Sequence, residues 1–264
     1  VVSKSIDCEF DGAVAFVTLS YPARFNAMSR TLWLRLREVF ETLAHRTDLR
    51  CVVVRGANGH FCAGGDIAEY PDFRFDEAQL RHFHEVEVWG GLSAMLRCDI
   101  PIVACIEGNC MGAGVEIASC CDIRIAADNA RFGAPIARLG FPMAPREARL
   151  VAYGLGHVTA REMLLEAAVL DAAVLAQRGF LHQVLPASDL MPKALQRAQG
   201  IARLAPQAAR LNKHTLRVLS GVLDEPAPQS PAAELFATAY HYAAADEHQE
   251  GITAFLAKRP PSFQ

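Results

Sequence analysis

Two glycine-rich turns and one glutamate carry the chemistry this chain could do. The apolar runs CVVVRG (51–56) and IPIVACIEG (100–108) each lead into such a turn, FCAGGD and NCMGAG. Glycine lets the backbone take positive φ and lets a ligand approach the main chain closely. A helix starting at such a turn adds unpaired N–H groups and a partial positive charge. Two turns side by side could aim two backbone donors at one oxygen. That arrangement suits a tetrahedral oxyanion or a thioester enolate, where each donor lowers the barrier by about 2.7–4 kcal/mol. Glu116 follows Gly112 and Ala113 on the same helical face, with Val115, Ile117 and Ala118 around it. Desolvation there raises a carboxyl pKa toward the range useful for acid–base work near neutral pH. The same residues would serve equally as tight packing turns and as a first-turn Glu that complements the helix dipole.

Competing chemistries fail on a required residue. Gly112 and Gly114 begin a dinucleotide fingerprint, but Ile117 occupies its third glycine position. The Gly-Lys-Ser/Thr of a phosphate loop and the G-x-S-x-G of a nucleophile elbow are both missing. All eight cysteines fall between Cys8 and Cys121 with no C-x-x-C pair, so metal-ligand spacing is absent and no metal is expected. They read as buried free thiols in a reducing compartment, hence a cytoplasmic protein. His82 and His84, two apart on a predicted helix, cannot share a face.

The elements that must position these turns follow from pattern. Two short strands, around Ile6–Phe10 and Ala13–Leu19, join at Asp11-Gly12, a hairpin signal. A helix is predicted over Arg30–Arg46, with Leu32, Leu36, Val39, Phe40 and Leu43 on one face. CVVVRG reads as a strand buried on both faces. Polar helical sequence runs to about Arg97, and the Tyr70–Gly90 stretch is the expected source of pocket-lining residues. From about Pro145 onward the pattern is almost wholly helical, with PAPQSP (226–231) as a turn or short linker. The result is an α/β core followed by an α-helical C-terminal section.

Composition excludes several partner classes. Apolar residues make up 52% of the chain and the formal net charge is -3, with both signs interspersed. No nucleic-acid partner is expected from that balance. The most apolar region, Ile100–Ala127, is interrupted by Glu107, Glu116, Asp122 and Arg124, so no membrane span is expected. The N-terminal VVSKSIDCEFDG lacks the layout of a secretory signal, although a removed transit peptide stays compatible with a chain that does not begin with Met.

Taken in order, TLSYPARFNAM (18–28), FCAGGDI (61–67), IPIVACIEGNCMGAGVEIASCCDIRIA (100–126), ARFGAP (130–135), LG (139–140) and EGITAFLAKRPPSF (250–263) resemble the enoyl-CoA hydratase/isomerase (crotonase-like) superfamily along nearly the whole chain. The resemblance implies an α/β fold, a crotonase-like spiral of β-β-α turns with an α-helical C-terminal region. It divides the chain into a spiral core, 1–190, and a helical oligomerisation region, 191–264, assembled as a homotrimer or dimer of trimers. It implies an acyl-CoA thioester as partner, with no cofactor beyond the coenzyme A of the substrate. The oxyanion donors would be the Gly65 and Ala113 amides, with Glu116 as general acid/base. Ala63, Asp66 and Ile67 would line the coenzyme A, largely through backbone, and Arg24 and Lys258 would reach its phosphates. As solvated surface side chains, both also have an ordinary explanation.

One position departs from the pattern. Typical hydratases of the superfamily carry a second glutamate immediately after the Pro of the FGxP segment, and here that substrate-side position is Ile136. Hydration of a 2-enoyl thioester needs water activated at C3 and a proton managed at C2, work that two carboxyls share naturally. Arg146 and Glu147 could help, but at the start of a helix they are expected to cap it or face solvent. The leading expectation is therefore hydratase-like chemistry. Isomerisation, thioester hydrolysis, decarboxylation or a catalytically weak CoA-ester binder are the alternatives.

Overall fold

The computed structural model describes residues 4–225, 227–229 and 231–263, so the turn assigned to 226–231 lies partly outside the described residues. Strands β1 (Ser5–Asp11) and β2 (Val14–Ser20) form the expected hairpin, closed where Asp11 pairs with Val14 and Gly12 takes φ +57°. β2 then pairs in parallel with β3 (Cys51–Gly56), which pairs with β4 (Ile102–Ile106). A small second sheet begins with β5 (Asn109–Met111). The large sheet continues through β6 (Ile123–Ala127), and the small one through β7 (Arg131–Gly133) and β8 (Val169–Asp171). β9 (Gln183–Leu185) closes the six-stranded order β1-β2-β3-β4-β6-β9 beside the three-stranded β5-β7-β8.

Both faces of the large sheet are covered, which explains the uninterrupted apolar run of β3. Val52 and Val54 enter the main core. There they join the buried face of α1 (Arg30–Ala44), whose first turn is capped by the Ser29 hydroxyl accepting the Leu32 N–H at 3.3 Å. Cys51 and Val53 face the other way, with Val103 and Ile125, onto Leu190, Ala194 and Ala198 of the long helix Ala187–Ala202. A strand buried on both sides has no reason to alternate.

The unit that repeats is strand, strand, helix. β4 in the large sheet, β5 in the small one and the helix Ala113–Ser119 make one turn. β6, β7 and the helix Pro145–Leu155 make the next. Two β-bridges, Cys62↔Cys110 and Met28↔Gly65, tie the loop after β3 to the same stack. The expectation of an almost wholly helical chain after Pro145 needs correction, because β8 and β9 lie there. Three residues carry too little periodicity to be read as strands. Helices Glu77–His82 and Trp89–Arg97 are joined by a wider, π-helical stretch, Phe83–Val88. No helix among the described residues is long and apolar enough to cross a membrane.

Candidate active site

The two glycine-rich turns meet. The Cys62 N–H donates to Asn109 O at 2.8 Å and the Met111 N–H to Cys62 O at 2.9 Å, lacing one turn along the other. Gly64 takes φ +110° and Gly112 φ +44°, and a Cβ on Gly112 would lie 3.7 Å from Gly64 Cα. A Cβ on Gly65 would come within 2.1 Å of the Tyr70 hydroxyl, so a side chain there is excluded by close approach. The Ala113 amide opens its helix, where no intrahelical acceptor exists. Neither it nor the Gly65 amide is matched to an acceptor among the described residues. Both residues line one narrow cleft, with Glu116 beside them.

Glu116 is 6% exposed and its N–H donates to Gly112 O at 3.0 Å. Burial pushes its carboxyl well up; the nearby Glu147 adds to the rise and Arg74 opposes it. Glu147 lies in the same cleft and is 3% exposed. Its carboxyl is also pushed up, to about 8, by burial first, against the pull of Arg74. The expectation that Glu147 meets solvent is therefore corrected, while its carboxyl still reaches back to the backbone of Ala144 at the helix start. Pro145 starts that helix, and the turn before it points residue 147 inward. Arg146 goes the other way, binding Glu85 and Glu225, each at 2.7 Å, outside the cleft lining.

A chain of hydrogen bonds fixes the groups behind Glu147. His84 Nδ1 lies 2.6 Å from Glu147 Oε1, and its Nε2 lies 3.2 Å from Arg74 Nη1. A guanidinium can only donate, so His84 Nε2 accepts and the ring proton sits on Nδ1, directed at Glu147. Burial, then Arg74, holds His84 well below its usual pKa, in keeping with that neutral tautomer. Arg74 also donates through Nε to His248 Nε2 at 3.4 Å and through Nη2 to the Tyr242 hydroxyl at 3.3 Å. His248 in turn gives its Nδ1 proton to Ala243 O at 2.9 Å.

A model of the enoyl-CoA hydratase/isomerase family matches residues 9–264. The chain is 30% identical over 261 residues to a probable enoyl-CoA hydratase (echA8) of Mycobacterium bovis, covering 98% of each. It is 33% identical over 252 residues to the 2,3-dehydroadipyl-CoA hydratase of Escherichia coli, covering 95% of each. The chain belongs to the enoyl-CoA hydratase/isomerase family. A crystal structure of an enoyl-CoA hydratase/carnithine racemase from Magnetospirillum magneticum superposes with a TM-score of 0.79 at 33% identity, over 99% of this chain and 97% of that one. The α/β fold is thus the crotonase-like spiral of β-β-α turns with a helical C-terminal region, and the chain is an enzyme of that family.

Within this family member, the residues picked out from sequence do not all converge. Gly65, Ala113, Glu116 and Ile136 line the cleft together. Ala63, Asp66 and Ile67 continue the loop beyond Gly65; Asp66 is buried and its N–H donates to Met28 O at 2.9 Å, while the Ala63 N–H donates to Phe25 O at 3.0 Å. Arg24 ends a short 3-10 turn, Pro22–Arg24, and is exposed. Lys258 is exposed at φ +54°, just after the helix Asp246–Leu256. Neither basic residue lines the cleft. Among the described residues, no group of three or more His, Cys, Asp and Glu is placed to hold a metal ion.

The Tyr70–Gly90 stretch supplies Tyr70, Arg74, Phe83, His84 and Val88 to the cleft lining, as expected, although sequence reasoning singles out none of them for the site; Phe141, outside that stretch, lines the cleft as well. His82 and His84 do face apart, His82 exposed and His84 buried at the start of the π-helical stretch. The signal for Arg74 was its setting in Phe73-Arg74-Phe75, since a lone charge between aromatics is seldom a solvated one.

Proposed function

We propose that the chain hydrates a 2-enoyl-CoA thioester, and the observation that carries this reading is the second buried carboxyl, Glu147, in the cleft of Glu116. Ile136 removes the family's usual partner for Glu116, and Glu147 restores a carboxyl pair from a different element. Two interacting carboxyls in one apolar site share a proton across the neutral range, so the pair holds one acid and one base. The base takes a proton from water as its oxygen bonds to C3, the π electrons move to the thioester oxygen, and the acid protonates C2 as the enolate collapses. The Gly65 and Ala113 amides receive the developing oxyanion.

Under this reading the substrate is an acyl-CoA and no separate cofactor takes part. Ala63, Asp66 and Ile67 follow the coenzyme A, with Arg24 and Lys258 at its phosphates. The helix Pro206–Ser220, which leaves Leu211, Leu216, Val218 and Leu219 exposed, supports placing an oligomer interface in 191–264. A homotrimer or dimer of trimers would cover it, and light scattering of the purified protein would count the subunits. Seven of the eight cysteines are buried free thiols and Cys8 is half-buried, against the expectation that all eight are buried; free thiols of this kind support a reducing, cytoplasmic setting.

Loss of the conjugated thioester absorbance of crotonyl-CoA, with the 3-hydroxyacyl product identified by mass, is the direct test. Hydration that falls in both Glu116→Gln and Glu147→Gln is the expected result. Conversion of 3-enoyl to 2-enoyl esters, or release of free coenzyme A, without hydration would replace the reading by a one-carboxyl reaction. Full activity in Glu147→Gln would remove Glu147 from the mechanism.

A further inference from the structure

We infer that the acyl group of the substrate carries a second carboxylate, distal to the thioester, and that Arg74 is the residue that receives it. The inference rests on the reading above that the cleft takes a CoA thioester. Arg74 is 0% exposed and lines the cleft, yet no carboxylate among the described residues forms an ion pair with it. Its three partners, His248, His84 and Tyr242, are neutral acceptors at 3.2–3.4 Å, long for hydrogen bonds from a charged donor. Arg146 shows the contrast: it meets two carboxylates at 2.7 Å.

A buried guanidinium with no carboxylate in direct contact is costly; the charge it shares at a distance with Glu116 and Glu147, and attraction to aromatic faces, offset only part of that cost. The Tyr70 and Phe141 rings supply such faces, at 4.4 and 4.1 Å from Arg74 Cζ. They also leave hydrogen bonding to the edge of the guanidinium plane. Of its five N–H bonds, three are used, one from each nitrogen, so one remains on each of Nη1 and Nη2. Two donors on adjacent terminal nitrogens match the two oxygens of a carboxylate. The rest of the wall, with Trp33, Phe83, Val88 and Ile136, would suit a plain alkyl chain, and the two N–H bonds of Arg74 not used in holding His84, Tyr242 and His248 are what a plain alkyl chain would leave unmatched.

Saturated esters that cannot be hydrated separate this inference from the reaction. Calorimetric titration of the wild-type protein would compare succinyl-CoA with butyryl-CoA, glutaryl-CoA with pentanoyl-CoA, and adipoyl-CoA with hexanoyl-CoA. The coenzyme A charge cancels within each pair. For at least one pair the carboxylated ester should bind at least ~10-fold more tightly, as expected for a charge-assisted bidentate contact. The preference should vanish in Arg74→Gln and persist in part in Arg74→Lys. Equal or weaker binding of every carboxylated ester by the wild-type protein would overturn the inference and leave Arg74 as a structural tie to Tyr242 and His248. Hydration of crotonyl-CoA in that case would leave the proposed reaction standing. Failure to bind any of the six esters would sink both.

Discussion

The two halves of the cleft are built in opposite ways. One half, the Gly65 and Ala113 turns, presents main-chain amides whose direction follows from local backbone conformation and from the bridge Cys62↔Cys110. The other half, Glu147, His84 and Arg74, consists of side chains from three separate segments, held by hydrogen bonds that exist only when those segments pack together. The first half has little freedom to vary, because a Cβ at Gly65 would meet the Tyr70 hydroxyl and one at Gly114 would lie 2.6 Å from Cys62 O. The second draws on several elements, so that a carboxyl from the helix Pro145–Leu155 lines the same cleft as Ile136.

Glu116 belongs to both halves, so its loss should be the most damaging. Glu116→Gln, nearly isosteric, should lower kcat for enoyl-CoA hydration by roughly 10²–10⁴-fold with the far-UV spectrum unchanged, the usual range for a general acid or base. A smaller loss would mean that the carboxyl is structural. Gly65→Ala probes the backbone half. Its Cβ would meet the Tyr70 hydroxyl at 2.1 Å. Displacing the Gly65 amide should lower kcat by about 10²-fold, the effect of one lost oxyanion donor. Restoration by Tyr70→Phe, which removes the clashing oxygen, would show that the defect is steric.

The side-chain half is expected to show itself in the pH dependence of stability. The Glu147 carboxyl is raised in the folded protein, so between its unfolded value near 4.5 and about 8 the native state holds more protons than the unfolded one. Stability from this group is therefore present at low pH and lost as pH rises through that window. Glu147→Gln should raise Tm relative to wild type by more at pH 8 than at pH 5. His248 acts in the opposite sense: burial lowers its pKa to about 4, so stability is lost as pH falls from 6.5 toward 4. A Glu147→Gln effect that did not grow with pH would mean that the carboxyl is ionised in the folded protein across the range. The smallest effects belong to the exposed basic residues. Arg24→Ala and Lys258→Ala should each raise KM by roughly 2–5-fold with kcat unchanged, in keeping with single screened surface charges. A change in kcat would place them nearer the chemistry than their exposure suggests.

Much of the fold was legible because its signals are local. The hairpin at Asp11-Gly12, the helix after Ser29 and the doubly buried β3 each follow from a few adjacent residues. The three-residue strands β8 and β9 were not legible, since they are strands only through pairing with β7 and β6. Within the cleft the same division holds. Gly65, Ala113 and Glu116 stand in contiguous motifs, whereas Glu147 looked like a helix-start residue and His84 like one of two unrelated histidines.

The sequence by itself determined the main-chain half of the site, because glycine at positive φ and an unpaired first-turn amide are properties of residue type and chain direction. It also placed an isoleucine, Ile136, directly after the Pro of FGAP. Only the tertiary structure brought Glu147 into the cleft of Glu116, hydrogen-bonded to a His84 whose tautomer Arg74 imposes, beside a buried guanidinium that no carboxylate among the described residues contacts directly. Burial and convergence depend on which elements pack against which, and no local pattern encodes that.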